Sequence, residues 1–460
     1  MIQGFFEDIR KASEFFLANA KGTVRVISHL DADGITSAAL LAKMLSEKGF
    51  RYQVSIIPFL DKRRLAEYAR EKNSFYIFSD IGSSSIETLA CLGEKKMVLV
   101  LDHHKPAQQD GSDSREEGSI FHVNPHLNGL EGSRDISASG VVYLFCEGIS
   151  PKIRSYSHLA IIGAIGDRQE KDGFCGLNKQ ILDRCLEEKT IIVRQGLRLF
   201  GARTKPIHKA LEGSVDVYIP EVTGSYRGAL NFLEELGIDP RKGSGWKTLD
   251  ELSEKETETL AQGIIRRRKD RANPKSIIGT IYLVKEGPVE DAREYSTLLN
   301  ACGRSDKATV GVGACLGVKR MQQEALLALA GYRQNIMDAI SWSEKNATSS
   351  DGLIVVNSKS VIPSSMTGTI ASIISMSRQT QKGTVVAVLA RMDDGRTKVS
   401  LRIAGGIRQL SLHVLAKEAC AKAGGESGGH VNAAGAVIES SSEQLFIDTL
   451  EGLAGKEFVE

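Results

Sequence analysis

Four short segments of this chain carry residues suited to holding divalent cations. Ser28-His29-Leu30-Asp31-Ala32-Asp33-Gly34 lies between the apolar run Val24-Arg25-Val26-Ile27 and a helix-like run from Thr36 to Leu45. Its imidazole and carboxylates therefore fall at the carboxyl end of an expected strand, where open α/β sheets bind ligands. Three more acid-bearing element ends follow at Ser79-Asp80, Leu101-Asp102-His103-His104 and Gly166-Asp167. Hard oxygen donors combined with imidazole suit a pair of Mn2+ or Mg2+ ions. Two such ions would clamp the attacking and leaving oxygens of a phosphodiester displacement.

His29, Asp31 and Asp33 alternate, so in an extended stretch all three would point to one side and converge on the ions. The same H-x-D-x-D-G string can also be a turn and helix cap. Gly34 would allow a sharp change into the next helix, whose first amides could help hold phosphate. Asp80 and Asp102 each close an apolar run, and either alone could be a turn former. A central carboxylate such as Asp80 could bridge two ions. Of His103 and His104, one can ligate a metal while the other contacts phosphate or the leaving oxygen. Asp167 follows the buried-looking segment Leu159–Gly166. Burying this acid alone would be costly, which leaves metal coordination or an ion pair with Arg168.

These residues need a scaffold, and 460 residues suffice for two or three domains with separate cores. Strands are expected at Val24–Ser28, Gln53–Pro58, Phe75–Ser79 and Met97–Leu101, alternating with helices at Ser37–Lys48, Lys62–Glu71 and Ser84–Leu92. That alternation predicts an α/β fold, a mostly parallel sheet with helices on both faces. Further helices are expected at Ser139–Cys146, Leu159–Ile165 and 181–200, with a surface loop at Gln108–Glu117. Apolar residues from Met321 to Trp342, spaced by three and four, predict a long connecting helix over 319–345. Beyond it, strands are expected at Leu353–Val356, Thr384–Leu389, Thr397–Ile403 and Ala433–Ile438, with helices at 411–423 and Glu443–Leu453. Gly424-Gly425 and Gly428-Gly429 should bracket a loop.

Charge is nearly balanced, with 59 basic and 57 acidic side chains, so any nucleic-acid affinity must come from local surface. Arg266-Arg267-Arg268-Lys269 with Arg271 and Lys275 is the densest positive run, and reads either as a solvated helix face or as a track for phosphates. Trp246 and nearby tyrosines could stack bases. Seven cysteines without paired short spacing argue for reduced thiols and a cytoplasmic location, against a cysteine zinc site. No apolar run approaches the ~20 residues that cross a bilayer.

In combination and order, these motifs resemble the DHH phosphoesterase superfamily, named for the motif at 102–104. His29, Asp31 and Asp33 match its first motif, Asp80 the second, Asp102-His103-His104 the third and Asp167 the fourth. Ser400-Leu401-Arg402 and Gly428-Gly429-His430-Val431-Asn432-Ala433-Ala434-Gly435 resemble its associated DHHA1 domain. Asn300-Ala301-Cys302-Gly303-Arg304 adds a match to the archaeal RecJ-like nucleases, which are related also to the eukaryotic replication factor of the same fold.

The resemblance implies two Mn2+ or Mg2+ ions held by His29, Asp31, Asp33, Asp80, Asp102, His103 and Asp167, with Asp80, Asp102 and His104 catalytic. His29 is the most variable of these, since some members lack it. Arg304, Arg402, Gly428, Gly429, His430 and Asn432 would bind substrate. The implied organisation is a DHH domain at 1–200, a central region at 201–318 that could dock a partner, a connecting helix at 319–345 and DHHA1 at 346–460. The implied activity is exonucleolysis of single-stranded DNA, with RNA also open, alongside GINS or a repair helicase and with no membrane. Two alternatives stand beside it: a nanoRNase or cyclic-dinucleotide phosphodiesterase, and a replication or repair scaffold with weak nuclease activity. A pyrophosphatase is disfavoured by the large middle region and the DHHA1 end.

Overall fold

The computed structural model describes residues 1–94, 96–106, 116–117, 119–171, 173–202, 204–214, 217, 219–268, 277–377, 380–405 and 411–454. They form two compact units, 1–196 with 280–330 and 197–279 with 331–460. The chain thus leaves the first unit, returns to it and leaves again within one long helix.

The first unit begins with α1 (Ile2–Asn19), β1 (Thr23–His29), α2 (Ala32–Glu47), β2 (Arg51–Ile57), α3 (Lys62–Arg70), β3 (Phe75–Ser79), α4 (Ile86–Gly93) and β4 (Met97–Leu101). It continues through β5 (Glu116–Glu117), β6 (Ile120–Val123), α5 (Ala138–Ile149), α6 (Ser157–Gly166), α7 (Gly176–Glu187) and β7 (Ile191–Leu197). The sheet runs β2-β1-β3-β4-β6-β5, parallel from β2 to β6 with an antiparallel edge at β5. β3 is buried at every position, as a central parallel strand covered on both faces must be. One face, including Ile27, Tyr76, Phe78, Val98 and Val100, packs on Leu65 and Tyr68 of α3 and Leu89 of α4. On the other, Phe75 meets Phe16 of α1, which also packs edge-on against Phe145 of α5. Strand order reverses between β1 and β3, and the crevice at their carboxyl ends is where such sheets place ligands.

Contrary to expectation, 181–200 is not one helix. α7 stops at Glu187, Lys189 takes a left-handed backbone (φ +55°), and Ile191–Leu197 becomes a strand. The β-branched run Thr190-Ile191-Ile192-Val193 favours that outcome over continued helix. Within 197–279 follow α8 (Ile207–Glu212), α9 (Tyr226–Glu235), the ribbon β8 (Arg241–Lys242) with β9 (Gly245–Trp246), and α10 (Glu254–Arg268). These pack around Ile207, Leu211, Phe232, Leu233, Leu260 and Ile264. β10 (Ile278–Val284) then pairs with β7 and leads to α11 (Ala292–Arg304) and α12 (Ala308–Cys315). Residues 280–330 cluster with the first unit, so the span 201–318 is shared between the two.

The helix α13 (Lys319–Asn346) is followed by β11 (Thr348–Ser350), β12 (Leu353–Asn357), α14 (Thr367–Ser375), β13 (Val385–Arg391), β14 (Arg396–Ile403), α15 (Leu412–Ala423), β15 (Glu426–His430), β16 (Ala433–Glu439) and α16 (Glu443–Ala454). Their sheet runs β11-β12-β13-β14-β16-β15 around its own core, which includes Leu389, Leu401, Leu415 and Phe446. The loop expected between the two glycine pairs is instead the start of the edge strand β15, in which Gly428 pairs with Gly435 and Gly429 with Ala434, while Gly424 and Gly425 precede it. Pairing with β16 supplies the backbone partners that turn composition alone could not reveal. No helix among the described residues is long and apolar enough to cross a membrane.

Candidate metal centre

The carboxyl ends of β1, β3 and β4 bring the four predicted motifs together. His29 is the last residue of β1, and Asp31 caps α2 by accepting the Gly34 N–H at 3.0 Å. The cap reading of this string is therefore correct alongside its clustering with His29 and Asp80. Helix starts at Ala32, so Asp33 does not belong to an extended stretch and does not share a side with Asp31 by alternation. It reaches the site from the first turn of α2, fully buried, and accepts the N–H groups of Ala138 (2.8 Å) and Ser139 (3.0 Å) at the start of α5. Gly163 of α6 permits this, because a Cβ there would stand 2.3 Å from Asp33 Oδ1.

Asp80 follows β3 in a left-handed backbone (φ +58°), its N–H donating to Leu101 O at 3.1 Å. A non-glycine residue held this way stores strain of the kind that collects at functional sites. Asp102 follows β4 and is nearly saturated: Oδ1 accepts from the N–H of His103 (2.7 Å), the N–H of His104 (3.2 Å) and His104 Nδ1 (2.8 Å), while Oδ2 accepts from Ser83 N–H (2.9 Å). His103 Nδ1 bonds Gly132 O at 2.7 Å, which turns Nε2 toward Asp167 Oδ2 (3.1 Å), Asp80 Oδ1 (3.5 Å) and Asp33 Oδ2 (3.9 Å). Asp167 is partly open to solvent rather than buried, and its neighbour across the site is His103 while Arg168 is exposed.

The donor atoms fall into three overlapping groups, each within 4.8 Å: His29, Asp31 and Asp80; Asp33, His103 and Asp167; and Asp80, Asp102, His103 and His104. Asp80 is 2% exposed, yet neither carboxylate oxygen makes a hydrogen bond, nor do His29 Nδ1 and His103 Nε2. His29 Nδ1 lies only 2.8 Å from Asp31 Oδ2 and 3.5 Å from Asp80 Oδ2 without a well-aligned bond to either. Buried polar atoms are otherwise almost always paired. Oxygen and imidazole atoms that converge without bonding each other fit a bound divalent cation.

Charge in the cluster leads to the same fit. Burial and the Asp31 charge push Asp80 up to about 6, and burial with Asp167 and Asp80 holds Asp33 well above the usual carboxylate range. Burial disfavours charged imidazole, but Asp31 and Asp80 outweigh it at His29, pushed up to about 11. Asp167 and Asp80 likewise raise His103, and Asp102 lifts His104 to about 9. Asp31 and Asp102 stay below the ordinary range, against burial, through His29 and His104 respectively. Protonated imidazoles thus balance the carboxylates in the metal-free cluster, and a cation would displace those protons.

Several supporting residues escaped the sequence reading because they lie far away along the chain. Gln169 Nε2 donates to Gly132 O (3.0 Å), the acceptor of His103, and Asn178 Nδ2 donates to Gln169 Oε1 (2.6 Å). Asn124 Nδ2 bridges Ser83 Oγ and His104 O, both at 2.8 Å, while Ser83 Oγ meets buried His122 at 2.9 Å. Such partners fix ligand orientation, and no motif spacing signals them.

The expected substrate residues divide between the units. Arg304 ends α11 in the first, exposed. In the second, Arg402 on β14 pairs in register with Ala433 of β16, which in turn pairs with His430 of β15. Arg402 donates from Nε to Ser372 Oγ (3.0 Å) and from Nη1 to Leu401 O (2.8 Å). Gly428 and Gly429 lie on the edge strand and Asn432 in the exposed turn beside them. The His430 side chain, Gly406, Lys269, Arg271, Lys275 and most of the expected 108–117 loop lie outside the described residues.

Family comparisons match the N-terminal domain of the DHH family to residues 23–166, a DHH-CID domain to 199–281 and a DHHA1 domain to 356–456. An uncharacterized protein of Methanocaldococcus jannaschii is 30% identical over 455 residues, covering 98% of both chains. The chain belongs to the DHH family and carries its DHH, DHH-CID and DHHA1 domains in that order. Among solved structures, Mn2+-bound RecJ of Thermus thermophilus matches with TM-score 0.59 and 18% identity over 98% of this chain, which spans 55% of the length of that RecJ. A second manganese-bound exonuclease RecJ matches with TM-score 0.60 and 18% identity, covering 97% of this chain and 94% of that one. CDC45 from Entamoeba histolytica matches with TM-score 0.64 and 8% identity over 98% of each chain. At these identities the structural matches speak for the fold.

Proposed function

We propose that this protein is a two-metal exonuclease removing nucleotides from an end of single-stranded DNA, with RNA as a second candidate substrate. The observation that carries this reading is Asp80, a buried carboxylate that faces His29, His103 and His104 at 3.5–3.7 Å with no hydrogen bond to either oxygen. One ion would be held by His29, Asp31 and Asp80, the other by Asp33, His103 and Asp167, with Asp80 and Asp102 completing the set. Such a pair supplies Lewis-acid activation of water and neutralises charge at the phosphodiester.

The chain's own groups do the rest. His104 Nδ1 is fixed on Asp102, whose carboxylate raises the pKa of the half-exposed ring to about 9 and so favours a proton on the outward Nε2. That proton can bind a nonbridging oxygen or pass to the leaving oxygen. Arg402 and the Gly428-Gly429 edge are assigned to holding a nucleotide end. A single strand suits such a site better than a stiff duplex. The RecJ matches support this substrate class, and end-labelled DNA, RNA and short oligonucleotides incubated with Mn2+ test it. Stepwise shortening of single-stranded DNA is expected; cleavage confined to di- to tetranucleotides would favour the nanoRNase reading instead.

A second reading is favoured by the CDC45 match over the full length, which fits a replication scaffold with weak nuclease activity. In that case a partner such as GINS or a helicase would dock on the span 201–318. Capture of partners by an Asp80→Asn protein, set beside the nuclease assay, separates scaffolding from catalysis.

A further inference from the structure

We propose that α11 is a brace for the metal centre and that Asn300 is its chief positioning residue, a role that rests on the metal reading above. α11 lies in none of the three segments matched by family domains, and the chain reaches it only after leaving and re-entering the first unit. Asp291 caps its start by accepting the N–H groups of Arg293 (2.8 Å) and Glu294 (3.2 Å).

From that fixed start the helix touches both halves of the centre. Asn300 Oδ1 accepts the Ala32 N–H at 3.0 Å, across 268 residues of sequence. Ala32 stands between Asp31 and Asp33, which belong to different donor groups. Its N–H is the first of α2, a donor with no partner inside its own helix. Asp31 takes the Gly34 N–H and Asn300 takes this one, so α11 contributes to the cap of α2. One turn on, Gly303 lies so close to the loop that a Cβ would stand 1.7 Å from Leu30 O. At the opposite end, Arg293 Nη2 pairs with Glu170 Oε1 at 3.0 Å, tethering the turn that carries Asp167. The angle at which Asp31 and Asp33 diverge is thus set by a side chain that is not a ligand.

The test is Mn2+ titration calorimetry on the full chain, with site-resolved hydrogen exchange at Ala32 in metal-free protein. Asn300→Leu, similar in size but without an acceptor, should weaken Mn2+ binding about tenfold, within the range for lost supporting partners, and speed Ala32 exchange. Asn300→Asp keeps an acceptor and should retain most of the affinity, which a purely space-filling role would not require. If the leucine variant does not fold, Asn300→Ser, polar but too short to reach Ala32, reads the same quantities. Wild-type Mn2+ affinity with unchanged exchange in the acceptor-less variant overturns the brace and leaves the metal reading intact. A wild-type chain that binds no Mn2+ overturns the metal reading and the brace with it.

Discussion

Asp80 concentrates the demands of the site in one side chain, being strained in backbone, buried, and without a hydrogen bond at either oxygen. Groups kept in that condition cost stability, and removing the charge should return some of it. Asp80→Asn is expected to lower Mn2+-dependent hydrolysis by roughly three orders of magnitude. It should also raise the metal-free melting temperature by about 2–4 °C, what ~1 kcal/mol produces in a domain of this size. Hydrolysis and thermal scans on one preparation read both effects, and a variant that is less stable and still active would remove Asp80 from the centre. At this scale the sequence was informative about ligands but not about the roles of their supports, Asn300 included, which stood out only within a motif match. His29, Asp31 and the DHH string are local and have recognisable spacing, whereas Gly132, Gln169, Asn178 and Asn300 act only once the chain has folded back on itself. Asp33 was found for a reason that fails, since a helix rather than an extended stretch carries it.

Helices α5 and α6 show how elements rather than motifs set the geometry. The start of α5 supplies two N–H donors to Asp33, and α6 approaches closely only because residue 163 has no side chain. Gly163→Ala would place a methyl group 2.1 Å from Ser139 Oγ and 2.3 Å from Asp33 Oδ1. It should destabilise by about 1–3 kcal/mol, as overpacking does, and weaken Mn2+ binding; denaturant unfolding and calorimetry check the two effects. In the C-terminal sheet, Glu443 at the start of α16 accepts from Asn357 (3.0 Å), Lys359 (2.6 Å), Thr397 (2.7 Å) and Arg391 (3.3 Å). Burial opposes its charge, but these donors prevail and hold its pKa near about 2, down from 4.5. A depressed acid adds stability that is full above the unfolded pKa and is lost as pH falls through the folded one. Glu443→Gln should therefore destabilise near neutral pH, by about 1–3 kcal/mol, with the gap to wild type closing between pH 4.5 and about 2. Melting curves across that window decide it, and a gap independent of pH would assign the loss to packing. Most elements could be read from periodicity, because parallel strands are short apolar runs and amphipathic helices repeat by three and four. β15 could not, since a glycine string becomes a strand only through its neighbour β16.

On the scale of the whole chain, the order of segments matters more than their boundaries in sequence. The excursion after β7 ends where it began, with Arg198 N–H bonded to Ile277 O at 2.7 Å. A short turn replacing 199–276 should therefore leave Mn2+ binding within a fewfold of wild type, whereas deletion of 201–318 removes α11 and should abolish it. Calorimetry on the two deletions distinguishes them, and equal affinity would refute the importance of the returning segment. This division was illegible in the sequence, because nothing in the composition of 201–318 marks the point of return. The expectations for metal binding and hydrolysis depend on a dinuclear metal centre at the ends of β1, β3 and β4. Anomalous diffraction at the manganese edge from a Mn2+-soaked crystal of the full chain tests it most directly. The account predicts two peaks roughly 3.5–4 Å apart, one beside His29 and Asp31, the other beside Asp33, His103 and Asp167, with Asp80 between them. Peaks elsewhere, or none within reach of Asp80, would contradict it.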